Sequence, residues 1–262
     1  MVPTSTSRRT STRTRPADTP STASTPSTVD TADPADTPLS RDAVVAHALA
    51  VADLEGLGAV SIRRIAQDFG VTPMALYWHV RNKDELLAAM GDRMLETIEP
   101  PPVDDGRGLD QLRDVLSMLV SALSAHPGST ALAQARTLQC ERGQLLAERT
   151  LDILRRAGFS VRQSADLARA ALQTAIMLVA GRPGAETTVA QDDRAAVMAG
   201  KHAALAALPV DRFPHLVECA DALTHCDDTD AYYGAGIELF LAGVHSLNVK
   251  AGNNSRGTAE VG

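Results

Sequence analysis

Between Ser61 and Lys83 the chain carries two short helical periodicities hinged on one glycine, a pattern that leaves few options for the local fold. Ile62, Ile65, Ala66 and Phe69 recur at the i, i+3, i+4, i+7 spacing of one apolar helix face, while Arg63, Arg64, Gln67 and Asp68 occupy the other. Gly70 can adopt the left-handed conformation that ends a helix, and Val71 then places an apolar residue in the turn. Thr72 is the expected N-cap of a second helix, with Pro73 at the first helical position, where its fixed φ suits the helix and its missing N–H costs nothing. In that second helix Leu76 and Val80 point to the core and Ala75 permits close approach.

This leaves Thr72, Met74, Tyr77, Trp78 and His79 facing outward or across the helix end, in a chain with a single tryptophan. Tyr77 and Trp78 have two readings. They brace the helix junction, or their ring faces and polar tips meet phosphates and base edges, the thymine methyl included. The pair of helices reads as a helix-turn-helix whose second member enters a DNA major groove.

The stretch from Leu39 to Ile98, above all Leu76-Tyr77-Trp78-His79-Val80-Arg81-Asn82-Lys83 followed by Leu86-Leu87, resembles the DNA-binding domain of the tetracycline-repressor family, close to the tetracycline repressor's own branch. The resemblance implies base-reading residues at Arg63, Pro73, Met74, Ala75, Tyr77, Trp78 and His79, and a phosphate contact at Lys83. Thr72 joins this DNA-binding set as the residue that opens the second helix. Where that branch has Gln-Pro-Thr, this chain has Pro73-Met74-Ala75, so an amide able to pair with a base edge is missing and a different operator is expected. The fold implied is all-α: an N-terminal three-helix helix-turn-helix domain over 39–99 with a connecting helix, then a larger helical bundle over 100–249 that binds an effector and dimerises.

Composition agrees with a soluble intracellular protein, expected in the cytoplasm. A chain of 262 residues with 44% apolar content is ample for a core. Three cysteines give no disulfide framework. The longest apolar run, around Ala175 to Gly181, is too short to cross a bilayer, so no membrane association is expected. A formal net charge of −7 looks wrong for a DNA binder, yet a local patch from Arg41, Arg63, Arg64, Arg81 and Lys83 suffices to meet phosphates.

Residues 1–38 are Ser, Thr, Pro, Ala and Asp with scarcely a large apolar side chain, and read as a disordered tail. Its basic beginning at Arg8, Arg9, Arg13 and Arg15 leaves two readings open, an inert extension or an arm that adds DNA contacts. A second disordered tail is expected over 250–262. Ser40 caps a helix carrying Val44, Val45, Ala48, Leu49 and Ala52 that ends at Gly56 or Gly58. Asn82 caps the next, which carries Leu86, Leu87, Met90, Met94, Leu95 and Ile98 and stops before Pro100-Pro101-Pro102, a natural lever between the two halves.

Beyond Leu109 the pattern stays helical. Leu112, Val115, Leu116, Leu119, Val120 and Leu123 form an apolar stripe ended by His126-Pro127-Gly128. A helix from about Arg142 to Ala157 ends in Gly158, and Ala165 to Ala180 is apolar nearly all round, which predicts burial on more than one side. The last helix, Ala231 to about Val249, mixes large apolar residues with Gly234, Ala235, Gly236, Ala242 and Gly243, so a partner helix can approach closely. The resemblance implies a four-helix dimer interface here, and two-fold symmetry doubles the DNA sequence that one short helix can read on a palindromic operator.

An unknown small-molecule effector is the expected partner of the larger domain, in a pocket lined from Met90, Met94, Met118, Leu119, Leu138, Leu172, Ile176 and Met177, residues that serve equally well as plain core. Tetracycline itself is not expected, because its histidine contacts correspond by position to Glu99 and to the vicinity of Leu132. His215, Cys219, His225 and Cys226 lack the tight pairing of a zinc motif, so no metal or other cofactor is expected. Ser164 and Asp166 have no histidine nearby and no nucleophile elbow or phosphate loop occurs, so no catalytic residues and no enzyme are expected. The function that fits is a dimeric transcriptional regulator, a repressor released by its effector. An effector-independent regulator or activator is the alternative, and an all-α enzyme a remote one.

Overall fold

The computed structural model describes residues 38–102, 107–185, 189 and 191–257. Among these residues the chain is helical and contains no strand. The tail expected over 1–38 lies outside the described residues except for Pro38, and so do residues 258–262.

The N-terminal helices are Arg41–Glu55 (α1), Ile62–Asp68 (α2), Pro73–Leu76 (α3) and Lys83–Glu96 (α4). Local chemistry sets their limits. The Ser40 hydroxyl accepts from the Ala43 amide at 3.1 Å, Ser61 from Arg64 at 3.2 Å, and the Asn82 side chain from Glu85 at 2.8 Å, so three starts are capped by side chains. Thr72 departs from expectation. It occupies the N-cap position in extended backbone but makes no side-chain cap, and α3 starts on Pro73 instead. Gly70 turns the chain at φ 65°, as the sequence requires.

The larger part comprises Gln111–Ser124 (α5), Thr130–Arg136 (α6), Glu141–Arg156 (α7), Val161–Ala180 (α8), Gln191–Ala206 (α9), Pro214–Glu218 (α10), Ala220–Thr224 (α11) and Thr229–Gly257 (α12). Helix α5 is the central post, packed against α7, α8 and α12, with Leu112, Val115, Leu116 and Leu123 fully buried. Burying each such leucine contributes about 1.5–3 kcal/mol. Ser160 and Gln163 start α8 with a reciprocal capping box. Helix α12 continues eight residues past the end expected at Val249, into the stretch expected to be a tail. No proline interrupts it.

Helix α8 packs against α5, α7 and α12, so it is covered on more than one side as expected, yet only Ser164, Ala171, Ala175 and Val179 are buried and Met177 is 65% exposed. The neighbouring α12 also carries an outward apolar residue, Leu239, 77% exposed. Between these helices Gly236 packs close to α8, where a Cβ would lie 2.3 Å from the end of the Leu178 side chain, whereas Gly234 and Gly243 face open space. Among the described residues no single helix is long and apolar enough to cross a membrane.

Candidate nucleic-acid interface

Helix α3 is only one turn long, and the chain after it winds more tightly than an α-helix. The Trp78 amide donates to the Ala75 carbonyl at 3.4 Å and His79 to Leu76 at 2.9 Å. Leu76 and Val80 anchor this segment in the core beside Ile65 and Phe69. The anchoring drives the intervening side chains outward: Trp78 is 88% exposed, Met74 69% and Tyr77 47%. Trp78 therefore does not brace the helix junction. Thr72, Pro73 and Arg63 are exposed on the same short stretch of chain, while Ala75 and His79 are half-buried.

Two of the five cations expected to meet phosphate are engaged elsewhere. Arg41 donates to the Glu85 carboxylate at 2.7 Å and to the His79 carbonyl at 2.9 Å, tying α1 to the recognition segment and to α4. Arg64 donates to Glu55 at 2.7 Å and 3.0 Å and to Asp68 at 3.0 Å. Those bonds, first to Glu55 and then to Asp68, push its guanidinium even further above its ordinary value. Carboxylates of the protein's own α1, α2 and α4 thus hold both guanidinium groups. Arg63, Arg81 and Lys83 remain exposed, with Lys83 at the first position of α4, where the helix dipole also favours an anion.

Asp68 is the keystone beneath the interface. It accepts from Arg64 and bonds His47 Nε2 at 2.9 Å, and the His47 ring meets Phe69 edge-on at 5.3 Å between centroids. Partial burial pushes the Asp68 carboxyl up, but the hydrogen bonds with His47 and Arg64 outweigh it and hold the group below its usual range. Glu85 is likewise held low, by the bond from Arg41 and then by the Arg81 amide.

The N-terminal helices are coupled to the bundle at two places. At the end of α1, the Asp53 carboxylate bonds His126 Nδ1 at 2.8 Å and accepts from the Gly128 amide at 3.2 Å, while Arg194 of α9 donates to the Asp53 carbonyl at 2.7 Å. Farther along, Arg136 at the end of α6 grips Asp92 of α4 with two bonds, 2.6 Å and 3.1 Å. Behind α6 lies a cavity of about 340 Å³ between α5, α6, α7 and α8. Its wall is mostly apolar, through Leu119, Leu138, Leu146 and Leu172, with Gln134, Thr137, Thr150 and Arg169 as polar points. The Thr137 and Thr150 hydroxyls donate to carbonyls of their own helices at 2.7 Å and 2.8 Å, so their oxygens can only accept from a guest.

Residues 44–90 match the family model of bacterial regulatory proteins, tetR family, and residues 102–247 match that of the tetracyclin repressor-like C-terminal domain. The chain belongs to the tetracycline-repressor family. The HTH-type transcriptional repressor DrrR1 of Streptomyces coeruleorubidus is 32% identical over 123 residues, which is 47% of this chain and 46% of that one, so the match spans about half of the relative. The class C tetracycline repressor of Escherichia coli is 40% identical, but over 70 residues, 26% of this chain and 32% of its own. That match to a tetracycline repressor thus covers about a quarter of this chain. The crystal structure of apo ActR from Streptomyces coelicolor covers 81% of this chain and 99% of its own, at a TM-score of 0.61 and 29% identity.

In this tetracycline-repressor family member, the side chains expected to line a pocket do not stay together. Leu119, Leu138 and Leu172 line the cavity, whereas Met90 and Met94 are fully buried in the α4 core, Met118 and Ile176 are half-buried outside the cavity wall, and Met177 faces outward. Met90 and Met94 belong to the core of α4, the lever itself, whereas the cavity is lined from α5, α6, α7 and α8. Thr137, Thr150, Gln134 and Arg169 escaped sequence reasoning. Their only signal was the i, i+4 pairing of Leu146 with Thr150 and the i, i+3 pairing of Arg169 with Leu172.

Proposed function

We propose that this chain is a dimeric transcriptional repressor that reads a palindromic operator through α3 and releases it when a small, largely apolar molecule fills the cavity. The observation that carries the proposal is the position of Arg136. It holds Asp92 on α4, and its sequence neighbours Gln134 and Thr137 line the cavity. A guest that moves α6 therefore moves the helix whose first residue, Lys83, stands at the DNA. ActR, the structural relative, has been crystallised with (S)-DNPA and with actinorhodin, which supports a small organic molecule as the class of guest.

On the DNA side, Arg63, Thr72, Pro73, Met74, Ala75, Tyr77, Trp78 and His79 form the base-reading and groove-facing set, and Lys83 holds a phosphate. The outward apolar faces of α8 and α12, with the open Gly234 and Gly243, support pairing with a second copy. The two recognition segments would then sit about 34–36 Å apart, one helical turn of DNA. The protein acts in the cytoplasm, where its operator is. Release is a population shift, and it requires the guest to prefer the non-binding state.

The test is fluorescence anisotropy of a labelled duplex taken from upstream of the chain's own gene, titrated with the full chain and then with actinorhodin as probe. Retained DNA binding with dose-dependent release by the probe is the expected result. Binding that the probe leaves undisturbed removes the effector half of the proposal, and no specific binding removes the whole.

A further inference from the structure

We propose that His202, Asp221 and His225 form a binding site for a zinc-class divalent ion that clips α9 to α11, away from both the DNA face and the effector cavity. One ligand atom from each of the three side chains lies within 4.8 Å of the others. His225 Nδ1 is 3.1 Å from Asp221 Oδ1, and His202 Nδ1 is 3.9 Å from the same oxygen. In a tetrahedral site with bonds of 2.0–2.1 Å, neighbouring ligand atoms are about 3.3 Å apart, so rotamer adjustments of less than about 1.5 Å close the set on an ion. Asp221 and His225 are one helical turn apart on the end of α11, and His202 reaches across from α9.

A buried hydroxyl lies beneath the rings. Thr224, 3% exposed, donates its hydroxyl to the Ala220 carbonyl at 2.8 Å, and the same oxygen lies 3.1 Å from His225 Nδ1 and 3.4 Å from His202 Nδ1. These are the nitrogens that face Asp221, so an ion replaces the Thr224 contacts when it binds. Two imidazoles and one carboxylate favour a borderline ion such as zinc over magnesium or calcium, which want an all-oxygen shell. Three protein ligands leave a fourth position for water. Asp227, Asp228 and Asp230 follow closely in sequence and raise the local cation concentration. The motif that the sequence offered is thereby re-sorted: His215 is 91% exposed on α10 beside Glu218 and takes no part, nor do Cys219 and Cys226, while His202, nineteen residues before Asp221, supplies the missing ligand.

The experiment is calorimetric titration of the tag-free full chain with zinc sulfate, alongside thermal unfolding with and without the ion. The expected result is one ion per chain and a zinc-dependent rise in unfolding temperature. His202→Ala and His225→Ala should each weaken binding by at least about tenfold and abolish the rise. His215→Ala should change neither. Because all three histidines are at or near the surface, circular dichroism of the variants should match the parent. Should a variant lose its fold, Asp221→Asn, which preserves shape, gives the same readout. No binding by the parent chain, or binding that survives both His202→Ala and His225→Ala, overturns the site.

Discussion

Arg136 and Asp92 face each other across the α6–α4 contact in a two-pronged bond, Nε to Oδ1 at 2.6 Å and a terminal nitrogen to Oδ2 at 3.1 Å. The bond to Asp92 raises the Arg136 guanidinium above its ordinary value even though partial burial opposes it. A planar fork against a carboxylate fixes direction as well as distance, which a lysine could not do. Arg136→Lys should therefore keep most of the stability, within about 1 kcal/mol, yet uncouple effector binding from DNA release. Measuring effector affinity and DNA affinity on the same variant checks this: unchanged release after the substitution would refute the coupling role.

Gly91 makes that contact possible. A Cβ at this position would sit 2.6 Å from Arg136 Cγ and 3.1 Å from the Leu132 carbonyl oxygen, so α6 could not lie as close to α4. Gly91→Ala should destabilise the protein by about 1–3 kcal/mol, the usual range for overpacking. Its effect on helix propensity alone would be stabilising, so the sign of the change in a urea midpoint decides between the two.

Trp78 and Lys83 separate DNA recognition from stability. Trp78→Ala removes an indole that touches little of its own protein and should leave thermal unfolding unchanged while cutting affinity for the operator by tenfold or more, about 1–3 kcal/mol. Lys83→Ala should weaken binding across all sequences and lower the slope of log affinity against log salt by about one. Equal binding by the Trp78→Ala variant would show that the exposed segment is not the reading surface.

Asp68 predicts a pH dependence whose sign is fixed by its bonds. Its carboxyl is held below the ordinary 3.8, so its contribution is complete above that pH and is lost as pH falls through the depressed folded value. Asp68→Asn should cost about 1–2 kcal/mol at neutral pH, and the gap to the parent chain should narrow in strong acid. Urea unfolding at both pH values measures it; a gap that widens in acid contradicts the assignment.

Much of this was legible in the chain because the signals are local. Ser61, Asn82 and Ser160 announce their helices through a residue three positions on, and Leu76 with Val80 fixes which side of the recognition segment is buried. What is set by contacts between distant segments was not legible. Arg41 and Arg64 read as free cations until α1 brings Glu55 beside one and the start of α4 brings Glu85 beside the other. The cavity is lined from four separate helices, α5, α6, α7 and α8, which no single periodicity records, and α6 itself is seven residues long. His202 and His225 lie on different helices, so their meeting is a tertiary fact.

If the surface carrying Met74, Tyr77 and Trp78 reads DNA sequence, full-chain affinity for the duplex upstream of its own gene exceeds affinity for a shuffled duplex of equal length, measured at fixed physiological salt. The expected preference is at least about 10³-fold, in line with sequence-specific binders, with two chains per duplex. Equal affinity for the two duplexes would contradict it.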